Sequence, residues 1–172
     1  MKENGPAPKR LRFNLGFLLE SPLGTSRVYE LNYPRIIISD DVTLKPLTGS
    51  FQMTRTSEGV YLSGDLHTTI ITECVRCLEE ALVDLTLALD DLFYYPPSAA
   101  PEGEYTVGEN GFINLAPLVR ELTLLATPSQ PLCQPGCQGL CQECGKNLNH
   151  GECDCEPDTI DPRLQALKDL LD

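Results

Sequence analysis

The sequence predicts an α+β fold, mainly antiparallel β-sheet or a partly open barrel, with two helices and a C-terminal cysteine-rich zinc subdomain. Three observations point there. Alternating apolar and polar residues fill much of the first half of the chain. Helical spacing then appears in one segment near residue 115 and in another at the C-terminal end. Eight cysteines stand in four close pairs, six of them between Cys133 and Cys155.

Taken in order, residues 1–12 form a basic tail, where Lys2, Lys9, Arg10 and Arg12 against Glu3 give a net charge of +3. A solvated tail is the ordinary meaning of such a run. Residues 13–131 read as a β-rich core domain with one helix. Runs 13–20 and 27–31 are mixed and short, and could pair. Arg35-Ile36-Ile37-Ile38-Ser39 is a β-branched run suited to a buried strand. Pro46 separates run 36–43 from a strand beginning at Leu47. Strands over 47–55 and 60–72 flank the hairpin loop Thr56-Ser57-Glu58-Gly59. In the second, Val60, Leu62, Leu66 and Ile70 share one face, with Ser63, Asp65, His67 and Thr69 opposite. Residues 81–93 alternate again, with Val83, Leu85, Leu87 and Leu89 on one face. The loop from Tyr95 to Gly103 is rich in proline and alanine. A helix follows, capped by Asn114, with Pro117 in its first turn and an apolar stripe of Leu115, Leu118, Val119, Leu122, Leu125 and Ala126. Pro128 and Pro131 end it. Residues 132–172 read as the zinc-binding subdomain, closing with a helix from Asp161-Pro162 whose leucines form one apolar edge.

The pairs are Cys74-Val75-Arg76-Cys77, Cys133-Gln134-Pro135-Gly136-Cys137, Cys141-Gln142-Glu143-Cys144 and Cys153-Asp154-Cys155. Two tetrahedral sites need eight thiolates, and paired C-x-x-C knuckles are the pattern of structural Zn2+. Spacing favours one ion on Cys141, Cys144, Cys153 and Cys155, with Gly145 and Gly151 letting the backbone turn around it. Cys74, Cys77, Cys133 and Cys137 remain for a second. The competing partition puts Cys133, Cys137, Cys141 and Cys144 together and leaves Cys74 and Cys77 to Cys153 and Cys155. In the first partition Cys137 and Cys141 hold different ions only four residues apart, at most about 14 Å, so the two sites are near neighbours. His67 and His150 could each replace a thiolate, though ordinary surface positions account for them. Four thiolates leave no open position on the ion, so such sites build structure and hydrolyse nothing. Disulfides suit an oxidising compartment, whereas a cytoplasmic chain keeps its thiols for metal. The compact ferredoxin run of an iron–sulfur protein is missing.

Composition excludes several function classes. The chain has 172 residues, 41% of them hydrophobic, enough for one packed domain and a small appendage. Its formal net charge is -12, so as a whole it repels a phosphate backbone. Two four-thiolate zinc sites would add about four further negative charges. No apolar run is long enough to span a bilayer, and the N-terminal segment lacks an apolar signal core. No phosphate-binding glycine loop, nucleophile elbow or zinc-protease motif occurs, so no catalytic residue is assigned.

The order Cys74-x-x-Cys77, then Ile113-Asn114-Leu115 before a helix containing Arg120-Glu121, then Leu132-Cys133-x-x-x-Cys137-x-Gly139-Leu140-Cys141-x-x-Cys144-Gly145-x-x-Leu148-Asn149, then Cys153-x-Cys155 and Asp161-Pro162-Arg163, resembles the YceD family. These are bacterial and plastid proteins linked to accumulation of large-subunit ribosomal RNA. The resemblance covers residues 10–172 and departs from the family pattern at Gln142, where proline is common. It implies ribosome biogenesis, a cytoplasmic bacterial setting and no known catalysis, and it supplies no binding residues. Its acidic character points to a basic partner, such as a ribosomal protein or an assembly intermediate of the large subunit, more than to direct RNA contact. Residues 73–109 carry nine acids against Arg76 and are a candidate surface. A thiol-redox enzyme using a C-x-x-C pair and a zinc-ribbon transcription module are the alternatives from other classes.

Overall fold

The computed structural model of the chain describes residues 11–155. The basic tail lies almost wholly outside the described residues, and the helix expected from Asp161-Pro162 lies outside them altogether. The described residues fall into two compact units. One holds the chain through Thr72 together with Leu82–Pro131; the other holds Glu73–Ala81 and the chain from Leu132 onward.

The first unit is mainly antiparallel sheet. Its elements are β1 (Arg12–Asn14), α1 (Gly16–Glu20), β2 (Ser26–Tyr33), β3 (Ile36–Ser39), β4 (Val42–Leu44), β5 (Leu47–Arg55), β6 (Gly59–Glu73), β7 (Glu80–Tyr94), β8 (Phe112–Asn114) and α2 (Ala116–Ala126). The main sheet runs β2-β5-β6-β7, while β1–β8 and β3–β4 form separate pairs. Tyr61 bonds Asp90, His67 bonds Thr86 and Thr69 bonds Asp84, so β6 and β7 also run antiparallel. Among the described residues the sheet does not close into a barrel; β2 and β7 are its edges. No helix there is long and apolar enough to cross a membrane.

The alternation fixes which face is buried. Val60, Leu62, Leu66 and Ile70 on β6 join Leu85, Leu87 and Leu89 on β7 in one core with Phe51 and Met53. The rings of Phe13, Tyr29 and Phe51 pack with centroids 5.2–5.5 Å apart. At roughly 25 cal/mol per Å² of apolar surface, such burial is the main stabilising term of this unit. The β5–β6 turn closes as its residues predict, with the Thr56 amide donating to the Gly59 carbonyl at 2.9 Å.

Four expectations are corrected. Residues 13–20 do not form a strand pairing with 27–31. Only Arg12–Asn14 is extended, it pairs with β8, and Gly16–Glu20 is helical. Leu15 and Leu18 are both buried, three residues apart as a helix requires, and Asn14 Oδ1 accepts from the Gly16 amide at 2.9 Å. Run 36–43 is not one strand: it folds back at Asp40-Asp41 into the β3–β4 pair. In α2, Asn114 Oδ1 does accept the Ala116 amide, at 3.1 Å, but the formal cap position is Leu115. The apolar stripe is cut short, because Leu125 is 77% exposed and Ala126 is exposed too. Thr123 takes the buried place, and its hydroxyl donates to the Val119 carbonyl at 2.7 Å.

Candidate metal centre

The second unit is organised by its cysteines. β6 and β7 leave Glu73 and Glu80 as the ends of a short connection carrying Cys74 and Cys77. Inside it the Cys74 amide donates to the Glu79 carbonyl (2.8 Å) and the Leu78 amide to the Cys74 carbonyl (2.9 Å). The second knuckle repeats this logic. The Gly145 amide donates to the Cys141 carbonyl (2.9 Å) and the Cys141 amide to the Lys146 carbonyl (2.8 Å). Gly145 has φ +70°, a left-handed turn that glycine enters without steric cost. Gly139 also needs to be glycine. At φ +76° an added Cβ would lie 3.2 Å from the Arg76 carbonyl oxygen, which itself accepts the Leu140 amide at 3.2 Å.

These turns gather the eight sulfurs into two groups, Cys74, Cys77, Cys133 and Cys137 in one and Cys141, Cys144, Cys153 and Cys155 in the other. Within each group all sulfurs lie within 4.8 Å of one another. The chain therefore adopts the first of the two partitions, and neither histidine joins a group. His67 sits beside Thr86, and His150 Nε2 lies 3.2 Å from Glu79 Oε1 on an exposed surface.

The spacing is that of a ligand set. Cys77 and Cys133 sulfurs are 3.5 Å apart, and Cys74 and Cys137 sulfurs 3.7 Å. A disulfide needs about 2.05 Å, whereas sulfurs about 2.3 Å from a central ion stand about 3.8 Å from one another at the corners of a tetrahedron. Both groups could hold a metal ion.

Electrostatics agree with this geometry. Burial would push the Cys74 thiol up, but the amides of Cys133, Cys77 and Arg76 overrule it and hold it at about 6. The amides of Cys144 and Glu143 bring Cys141 to about 6 as well. Burial, then the neighbouring thiols, push Cys133 up to about 12; Cys144, then burial, do the same to Cys155. Each group thus has a thiolate ready to form and a partner that resists sharing the space with like charge. A divalent cation removes that conflict.

One further residue acts on the first group. Asn149 lies in the loop between Cys144 and Cys153, yet its Nδ2 donates to Cys137 Sγ at 3.3 Å, and this bond is the main cause that lowers the Cys137 thiol. Its Oδ1 accepts the Gln138 amide at 2.8 Å and Gln134 Nε2 at 3.2 Å. Sequence reasoning assigns Asn149 no such role, since only the fold brings it to Cys137. Arg76, inside the first knuckle, donates to the Cys137 carbonyl at 2.9 Å.

The sequence model of a family described as "Large ribosomal RNA subunit accumulation protein YceD" matches residues 62–171. An uncharacterized protein of Mycobacterium tuberculosis is 36% identical over 119 residues, covering 67% of this chain and 57% of its own length. One from Mycobacterium leprae is 33% identical over 134 residues, 73% of this chain and 59% of its own. A chloroplastic protein of Arabidopsis thaliana, named as a YCED homolog for large ribosomal RNA subunit accumulation, is 29% identical over 81 residues, 47% of this chain and 22% of its own. The chain thus spans less than two thirds of the mycobacterial relatives it matches. No solved structure matches it.

Proposed function

The chain belongs to the YceD family, and on that premise we propose that it is a non-catalytic ribosome-biogenesis factor. It supports accumulation of large-subunit ribosomal RNA, works in the cytoplasm, and is held together by two structural Zn2+ ions. One ion sits on Cys74, Cys77, Cys133 and Cys137, the other on Cys141, Cys144, Cys153 and Cys155. The observation that carries the zinc reading is the convergence of two complete four-sulfur sets, each within 4.8 Å. Four thiolates fill the coordination shell, leaving no site for a reacting water, so the metal serves the fold. With a net charge of -12 the protein acts through a basic protein partner such as a ribosomal protein, where opposite charge speeds encounter and selects the partner.

A redox reading draws on one observation, the two thiols held at about 6. One measurement separates the two. Protein purified without added metal is analysed for elemental content while its free thiols are titrated. Close to two zinc per chain, with thiols masked until a chelator is added, is the expected result. Metal-free protein with reactive thiols or disulfides would overturn the zinc reading and favour thiol exchange. In the host cell, depletion of the protein is expected to lower large-subunit relative to small-subunit ribosomal RNA.

A further inference from the structure

The four-stranded sheet buries only one face. Odd-numbered residues of β2 and β5, even-numbered residues of β6 and odd-numbered residues of β7 point into the core. The alternate residues form an outer face on which every position except Gly59 is exposed or half-buried. An antiparallel sheet with one wet face is ordinary in itself. The charge on this face is not ordinary. Glu30 on β2, Asp65 on β6, and Asp84 and Asp90 on β7 all point outward, and no lysine or arginine occupies an outward position on any of the four strands. Solvated sheet faces usually mix both signs, since like charges across strands repel.

The register brings these acids close. Glu30 pairs with Ser50, and Ser50 pairs with Asp65, so two carboxylates flank one small serine. The carboxylates on β7 are held in place: Tyr61 donates its hydroxyl to Asp90, and Thr69 donates to Asp84 at 2.6 Å. A depression of about 190 Å³ opens beside Asp84, lined also by Pro46, Thr48, His67, Thr69 and Thr86. Threonine hydroxyls and the Asp84 carboxylate share its wall with Pro46 and Leu85. Apolar groups complete the surface, with Val28 60% and Leu82 70% exposed. At about 3.3 Å per residue and 4.8 Å per strand, the area shared by all four strands is roughly 25 Å by 15 Å, and β6 and β7 prolong it. That approaches the scale of one side of a standard protein interface.

We propose that this outer sheet face is the docking surface for the basic partner, and that it receives a lysine- and arginine-rich protein segment, with one cationic side chain entering the depression at Asp84. A phosphate backbone is the wrong sign for it. A long cationic side chain fits twice over, its stem on the exposed apolar groups and its head on oriented carboxylates. The inference rests on the basic-partner reading above and gives it an address.

The test uses the full chain as purified, with individually purified basic proteins of the large ribosomal subunit as probes, titrated at low and physiological salt. Wild type is expected to bind at least one of them. The double variant Glu30→Lys/Asp65→Lys should bind it about tenfold or more weakly, and Glu30→Gln/Asp65→Asn by an intermediate factor, because complementary charge has been reversed or removed. Reversal of Glu102 and Glu109, exposed acids off the strands, should leave affinity within about twofold. Melting curves verify folding, and the near-isosteric Gln/Asn pair keeps the test decisive if the lysine pair does not fold. Unchanged affinity in both sheet variants would move the site elsewhere and leave the basic-partner reading standing. Failure of wild type to bind any of the proteins would overturn both. Binding of ribosomal RNA that weakens in the sheet variants would overturn the choice of a protein ligand.

Discussion

Asn149 shows how one side chain can tie a loop to a cysteine of a candidate metal site. Its amide reaches Cys137 Sγ while its oxygen holds the Gln138 backbone. Groups hydrogen-bonded to ligands commonly change metal affinity 10- to 100-fold when removed. Asn149→Ala is therefore expected to weaken the first site by about that factor in chelator competition, and Asn149→Asp by more, since a carboxylate beside a thiolate adds repulsion. An unchanged affinity in both variants would reduce the contact to packing. Tyr105 carries a second residue-scale expectation. Burial, and then its 2.8 Å bond to Glu121, raise its hydroxyl well above the ordinary range. The folded state thus holds this proton more tightly than the unfolded chain. The resulting stability is complete below about pH 10 and is lost as pH rises beyond it. Melting from pH 7 to 11 should show a steeper alkaline loss in wild type than in Tyr105→Phe, which should also lose about 1 kcal/mol at neutral pH. Parallel pH curves would remove the assignment. Neither role is written in the sequence, because each depends on a partner 12 or 16 residues away.

At the scale of elements, the two cysteine groups differ in exposure. Cys74, Cys77 and Cys137 are buried, while Cys144 is exposed and its three companions are half-buried. Chelator reaches the second group more easily, so metal should leave in two phases, the faster from Cys141, Cys144, Cys153 and Cys155. Cys144→Ser should remove the fast phase and Cys77→Ser the slow one; a single phase in wild type would contradict the difference. Long periodic strands were the most legible elements. The residues of β5 and β6, and the loop between them, fall where alternation and Gly59 place them. Short segments were not legible. Gly16–Glu20 contains Leu18 and Leu19 in a run too brief for period two and period 3.6 to be told apart. The end of α2 misled for another reason: Leu125 keeps helical spacing, but the core no longer lies beneath it.

Across the whole molecule, the two units rest on different forces. The first has a large apolar core including Phe51, Phe93, Leu66 and Val119. Among its described residues the second gathers Cys74, Cys77, Ala81 and Cys137, with Leu132, Cys133 and Leu140 against them. A unit that small needs cross-links or metal to remain folded. Chelation is thus expected to abolish hydrogen-exchange protection around residues 137–150 while the amides of β5 remain protected. Loss of both together would show a single cooperative unit. The sequence by itself determined the class of sheet and the inward face of each long strand, because both follow from intervals along the chain; it favoured one division of the cysteines, and the folded chain chose it over the other. Only the tertiary structure decided that β1 pairs with β8, that the outer sheet face gathers acids from three strands without a cation, and that Asn149 meets Cys137. Periodicity tells a residue which way to face, but the neighbour it meets is set by pairing between segments distant in sequence.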